Sequence, residues 1–528
     1  MPTPDMAVLE WTLALLLGAV LLAALARRIG APSPALLAIG GVAVALLPNG
    51  PRFSLDPDLA LALFVAPVLL DAAFDSSLRD LRANWFPVTS LILIAVSVTT
   101  GAVALAARWL VPAMPWAVAV TLGALVAPPD AAAATAVLKE VRLPHRLLVI
   151  LEGESLLNDA SALLIYRLAV GAALARDGTN LGVASTLALV SLGSVAIGVL
   201  LAFVFGNIIG RFSDVPSSII MQFIGAFGVW IIADCLHLSG VLAIATFAVI
   251  LSRRPPIRMP AVVRVPSYAV WETVVFLLNA LAFVMIGLQI GPILDRVDSA
   301  QRLHMLTFAA AVTVTVIVAR VGWVMTYNRT LWTIGRILGR RTPRAMTAPP
   351  LKRSAVVAWC GMRGLVTLAA ALALPDGSNG GPAFPYRGLI VLTAFSVVLG
   401  TLVLQGLTLR PLVLALGFED DDAIEAEVRD GREQMLKAAL ASLGEVDTKA
   451  AAALYHEYEE LLERADSSAA LSPEVRKAEE ALRARAWAAS RERLGQLRLT
   501  GAIGDPAFQL LEAELDRFEL DTEVRSRW

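Results

Sequence analysis

The chain has 528 residues, 57% of them hydrophobic and 17% charged, with a formal net charge of −1. A soluble chain of this length divides into domains with polar surfaces. There is too little charge here to cover such surfaces, which excludes an ordinary globular protein, a disordered chain and a disulfide scaffold. The near-zero total hides an asymmetry: residues 1–417 carry 29 Lys/Arg and 19 Asp/Glu, residues 418–528 carry 15 and 26, so a body of +10 precedes a tail of −11.

Thirteen apolar segments follow one another at about 6–26, 34–48, 59–74, 85–109, 115–138, 146–173, 181–209, 216–234, 238–252, 269–292, 304–326, 354–375 and 388–409. A bilayer core takes about 20 such residues per helix, so the segments predict an all-α polytopic membrane protein with about 13 transmembrane helices. The first segment starts with Asp5 and Glu10 and ends at Arg27 and Arg28, the reverse polarity of a signal peptide. Loops following odd-numbered segments hold 20 Lys/Arg, those on the opposite side 6. The positive-inside rule then places the N-terminus outside and the tail in the cytoplasm. The chain divides at 417/418. Residues 418–528 lack any apolar run of spanning length and show helical periodicity over Ala423–Leu443, Ala450–Arg464 and Pro473–Leu499, as expected of a soluble helical tail with alternating charges on its exposed faces.

Cofactor chemistry has little to stand on. The four histidines (145, 237, 304, 456) lie at segment edges or in the tail, Cys235 and Cys360 form no cluster, and no phosphate-binding GxxxxGK[ST] occurs. No cofactor and no nucleic-acid partner is expected.

Charges within apolar segments are costly and mark ion paths or structural pairs. Segment five contains Pro128-Pro129-Asp130. Two prolines remove two backbone donors from mid-span, and the carbonyls they free are tolerated only against protein or water. A helix broken beside an acid is how midplane ion sites are built; the alternative is a plain proline kink. Segment six contains Glu154, Ser155, Asn158 and Asp159. Ser155 and Asp159 are i,i+4 with Asn158 between them, so a carboxylate, a hydroxyl and an amide share one helix face. Oxygen ligands suit a hard monovalent cation, and a desolvated carboxyl can also hold a proton. A group that takes either one, never both, is the minimum chemistry of exchange. The alternative is a polar contact between helices. Segment twelve holds Arg363 between Gly361 and Gly364; a guanidinium in a membrane needs a carboxylate, and Glu154 is the expected partner in a structural ion pair. Asp71, at the inner half of segment three, either lines a cytoplasmic funnel or faces headgroups. Arg167 and Arg320 are expected to be structural, with no partner legible.

Leu151-Glu-Gly-Glu-Ser-Leu-Leu-Asn-Asp159 resembles the signature of monovalent cation:proton antiporters of the sodium/hydrogen exchanger branch. Pro128-Pro-Asp-Ala, Trp359-Cys-Gly-Met-Arg-Gly, Phe276-Leu-Leu-Asn279 with Ile286-Gly-Leu-Gln289, and His237-Leu-Ser-Gly240 resemble further motifs of that family, in the same order, over about residues 10–415. The resemblance implies two inverted six-helix repeats, with helices 5 and 12 unwound and crossing at mid-membrane, and a homodimer in the cell membrane. It also implies exchange of protons for Na⁺, or K⁺ or Li⁺, in pH and cation homeostasis. It places the cation and proton site on Asp159 and Asp130 with Asn158 and Ser155, and the structural pair on Glu154 and Arg363. The Asn-Asp order resembles the electroneutral members. Two positions depart from the pattern: Asp71 stands where Glu is frequent, and Pro129 offers no hydroxyl at the unwinding. A cation channel using the same acids is the first rival. An intramembrane aspartyl protease using Asp130 and Asp159 is a poor one, because no Gly-x-Gly-Asp occurs. Expected partners are monovalent cations, protons and membrane lipid.

Overall fold

The computed structural model describes residues 4–47, 57–75, 84–130, 144–174, 180–209, 214–252, 261–295, 301–337, 351–376, 383–418 and 423–443, with a few isolated positions besides. It comprises two compact units, Met1–Asp420 and Asp421–Trp528. Among the described residues every regular element is helical. In chain order these are α1 (Pro4–Ile29), α2 (Ser33–Ala45), α3 (Pro57–Ala60), α4 (Ala66–Asp75), α5 (Trp85–Thr89), α6 (Val96–Leu110), α7 (Trp116–Val126), α8 (His145–Leu174), α9 (Asn180–Ile209) and α10 (Val215–Cys235). They continue as α11 (Gly240–Ser252), α12 (Ala261–Leu288), α13 (Ile290–Asp295), α14 (Arg302–Ile337), α15 (Leu351–Trp359), α16 (Leu365–Leu372), α17 (Arg387–Leu416) and α18 (Ala423–Leu443). Helices α3 and α4 are joined by a π-helical turn at Leu61–Val65, and α5 and α6 by another at Ser90–Ala95.

Each apolar segment, as far as it is described, falls on a helix, on helices joined by a π turn, or on helix bordering an interruption. Seven helices among the described residues are long and apolar enough to cross a membrane. Two helices extend eight residues or more beyond expectation. Helix α12 begins eight residues early and carries Pro266 inside it, and α14 runs on to Ile337. Hydropathy marks where a segment is apolar, whereas a helix ends only where its hydrogen-bond ladder stops; both extensions contain arginine and so lack an apolar signal. In the second unit α18 coincides with the expected helix at Ala423–Leu443; the stretches Ala450–Arg464 and Pro473–Leu499 lie outside the described residues apart from isolated positions.

Local chemistry explains the boundaries. Helix α7 stops at Val126 because Pro128 and Pro129 have no N–H to continue the ladder. Helix α10 is capped by Asp214, whose carboxylate accepts the Ser217 N–H at 3.0 Å. Packing is tightest where α2 crosses α12. A Cβ on Gly287 would fall on the Ala38 carbonyl, and one on Gly41 on the Val284 carbonyl. Without glycine at both places the two main chains could not approach so closely, the mode by which membrane helices associate without a hydrophobic driving force.

The main core joins Val103, Leu122, Ile150, Ile286, Val312 and Val398 from six helices. A second core gathers Leu69, Ala202, Val229 and Phe247 from α4, α9, α10 and α11. Outward faces are also apolar: Leu13, Leu17 and Leu21 of α1 and Leu189 and Leu192 of α9 are exposed. A helix apolar on all sides suits a lipid surround.

Candidate functional site

The site forms where two helices fail. Residues 127–130 after α7 are non-helical, and so are Cys360–Gly364 between α15 and α16. The two stretches bond to each other: the Asp130 N–H donates to the Met362 carbonyl at 2.6 Å. The Arg363 N–H donates to Thr401 Oγ1 of α17 at 3.0 Å. The Pro129 carbonyl accepts from Asn158 Nδ2 of α8 at 2.6 Å. Main-chain groups freed by the breaks are thus satisfied within the protein, as survival at membrane depth demands.

Arg363 is fully buried. Its Nε donates to the Val126 carbonyl at 2.9 Å and its Nη2 to the Ala127 carbonyl at 3.2 Å; Nη1 bonds to the Gly361 carbonyl. The guanidinium therefore caps the negative C-terminal end of α7. Across the crossing, the Asp130 carboxylate lies directly against Gly364, the N-cap of α16, where any Cβ would overlap it. A positive group at a helix C-terminus and a negative one at a helix N-terminus compensate the two broken dipoles.

Asp159 faces this crossing from α8. It is half-buried and close enough to Asp130 for the two carboxyls to interact electrostatically. Asn158 beside it is fully buried; its Nδ2 is used by Pro129 while its Oδ1 has no donor among the described residues. Ser155 lies on the same helix, but its side chain falls outside the described residues. Asp71 is half-buried in α4, which packs on α8. Among the described residues no three His, Cys, Asp or Glu side chains gather as for a divalent metal.

The expected pairing of Glu154 with Arg363 is corrected by the structure. Glu154 Oε1 meets Arg320 Nη1 at 2.6 Å and Oε2 meets Nη2 at 2.9 Å, a bidentate bridge between α8 and α14 with both residues 2% exposed. The Arg320 Nη2 also reaches the carbonyls of Val357 and Cys360, at 3.1 and 3.3 Å, at the end of α15. The planar fork of a guanidinium fits a carboxylate through both oxygens. Arg363 is taken up by carbonyls instead, because α7 ends beside it and leaves them without donors.

The sodium/hydrogen exchanger transmembrane family matches residues 13–415. The chain belongs to this family. An uncharacterized Na⁺/H⁺ exchanger of Mycobacterium tuberculosis is 30% identical over 513 residues, 94% of this chain and 93% of that one. A sodium, potassium, lithium and rubidium/H⁺ antiporter of Bacillus subtilis is 27% identical, covering 93% of this chain and 74% of its own length. The solved structure of a sodium proton antiporter from Methanocaldococcus jannaschii superposes with a TM-score of 0.63 at 20% identity, over 76% of this chain and 100% of that one; at that identity the likeness concerns the fold.

Three contacts of the exchanger were not legible in its sequence. Tyr166 Oη donates to the Ala370 carbonyl at 3.0 Å, tying α8 to α16. Thr401 receives the Arg363 N–H. Ser161 reaches the Ile92 carbonyl in the second π turn. Hydroxyls are common in apolar helices, and most here bond their own helix four residues back, so sequence offers no signal to single these out. Arg320 did carry a signal, as a charge in the middle of segment eleven, but its partner is 166 positions away.

Proposed function

We propose that this exchanger is a secondary active antiporter of the cytoplasmic membrane that trades protons for Na⁺, with K⁺ and Li⁺ as further candidate cations, in pH and cation homeostasis. The observation that carries the reading is the placement of Asp130 at the contact of two non-helical stretches, within electrostatic reach of Asp159, in a chain of the exchanger family. Asp159 is the exchanged carboxyl, Asp130 its neighbour at the unwound segment, and Asn158 and Ser155 supply further oxygens. A cation and a proton compete for the same carboxyl, which makes the carrier return loaded with one or the other. Flux in proteoliposomes under Na⁺, K⁺ and Li⁺ gradients, with internal pH followed, tests this; cation gradients that move no protons overturn it.

The proposal extends to architecture: thirteen spans in two inverted six-helix repeats, a homodimer, the N-terminus outside and the tail in the cytoplasm. Support comes from the two breaks, which lie in segments five and twelve as an inverted repeat requires, and from the loop-charge bias. The glutamate–arginine bridge now joins segments six and eleven. In this reading Asp71 lines a cytoplasmic funnel to the site.

Transport is expected to be electroneutral. Asn158 stands beside Asp159 where a second acid would add an unbalanced proton. An imposed potassium diffusion potential should leave the exchange rate unchanged, and a steep voltage dependence would place this chain with electrogenic carriers.

Removing the tail after Asp430 should leave a working exchanger with an altered pH response. All the proposed ligands precede residue 418, and the tail's −11 charge acts over a Debye length of about 8 Å at physiological salt, too short to reach a mid-membrane site. A pH titration of exchange by purified truncated protein is the check; complete loss of exchange in a folded protein would make the tail part of the transport machinery.

A further inference from the structure

Beyond the carboxyls themselves, something must fix how α8 is turned about its axis, because that rotation sets how near Asp159 lies to Asp130. Ser161 is placed to do so. It lies three residues past Asn158, about 300° around a helix of 3.6 residues per turn, so its side chain leaves α8 on the flank from which Asn158 reaches the Pro129 carbonyl. Its hydroxyl lies 2.8 Å from the Asn158 carbonyl and 2.9 Å from the Ile92 carbonyl, sharing one proton between them. The first acceptor belongs to the turn that carries Asn158 and Asp159. The second belongs to the π turn Ser90–Ala95, a local widening of the helix of a kind that recurs at functional sites.

The packing around this bond converges on the same place. Val96, next after the π turn, packs with Ala162 and Ile165 of α8 and with Ala127, the first residue past α7. Ala127 is also the residue whose carbonyl holds Arg363. The π turn, this flank of α8 and the unwound end of α7 therefore meet in one joint, and the Ser161–Ile92 hydrogen bond ties it.

We propose that Ser161 is a positioning residue for the exchange: through the Ile92 carbonyl it sets the rotation of α8 and with it the placement of Asp159 against Asp130. The proposal rests on the reading of Asp159 as the exchanged carboxyl. Ser161→Ala should raise the apparent KM for Na⁺ about five-fold, the size expected for one net hydrogen bond, with Vmax per folded protein little changed. Ser161→Thr, which keeps the hydroxyl, should restore the wild-type KM. A purely structural role would instead lower the yield of folded protein at constant KM. The measurement is Na⁺-dependent proton flux in proteoliposomes containing the full chain, wild type and variants side by side. Wild-type protein that exchanges nothing refutes the antiporter reading, not this one. With an active wild type, an unchanged KM in Ser161→Ala, or an equal rise in Ser161→Thr, overturns the positioning role. If the alanine variant does not fold, Ser161→Cys carries the test: a group of similar shape and weak donor strength should raise KM, and an unchanged KM overturns the proposal.

Discussion

Asp159→Asn is expected to give a folded protein that exchanges nothing. The substitution keeps the size of the side chain and removes one charge from α8, so the helix and its ties through Asn158, Ser161 and Tyr166 should persist. An amide neither releases a proton at physiological pH nor offers a full negative charge to a cation, so both half-reactions fail together. Asp130 cannot substitute. Its main chain is bound to Met362 and its carboxyl is lodged against Gly364, a position suited to compensating the α16 terminus rather than to loading and unloading. The check pairs Na⁺-driven proton flux in proteoliposomes with a thermal melt and size-exclusion profile of the same preparation. Flux above a few per cent of wild type in a well-folded sample would remove Asp159 from the centre of the mechanism.

Much of this site was legible in the residues because membranes make errors visible. A charge or a proline pair in an apolar run is costly, so Pro128-Pro129, Asp130, Asp159 and Arg363 each announced themselves, and the two helix breaks fall at Pro128–Asp130 and around Arg363. What stayed hidden was pairing. Glu154 had two arginines to choose from, in segments eleven and twelve, and the choice depends on three-dimensional facts: α14 packs alongside α15 and so presents Arg320 to Glu154, while the end of α7 presents bare carbonyls to Arg363. The π turns were hidden for a different reason. Leu61–Val65 and Ser90–Ala95 read as ordinary apolar helix, because widening a turn by one residue leaves composition unchanged and shifts hydrophobic phase too little to register. The capping of α7 by Arg363 and the lodging of Asp130 at Gly364 follow from the crossing, and a crossing between residues more than 200 positions apart has no local signal.

The corrected ion pair yields the largest expected stability effect. Glu154 and Arg320 are almost fully buried, and removing one member leaves the other charged and unpaired, at a cost of about 3–5 kcal/mol. Arg320→Met should be the worse of the two single changes: it strands the Glu154 carboxylate and also releases the Val357 and Cys360 carbonyls, which Arg320 holds where α15 gives way to the unwound stretch. Glu154→Gln leaves a neutral amide that can still accept one of the Arg320 donors, so its loss should fall at the lower end of that range. Replacing both by apolar residues, Glu154→Leu with Arg320→Met, removes the stranded charge and should recover part of the stability of the worse single variant, since a buried pair exchanged for apolar side chains is frequently near neutral. The same cycle run on Glu154 and Arg363 should show weaker coupling, because Arg363 donates its hydrogen bonds to the carbonyls of Val126, Ala127 and Gly361. Thermal melts of the detergent-solubilised variants decide between the two assignments. Single variants that melt with the wild type, or stronger coupling of Glu154 to Arg363 than to Arg320, would return the bridge to segment twelve. The expected pattern instead makes α14 the element that holds α8 in place, leaving Arg363 to hold the broken helices to each other.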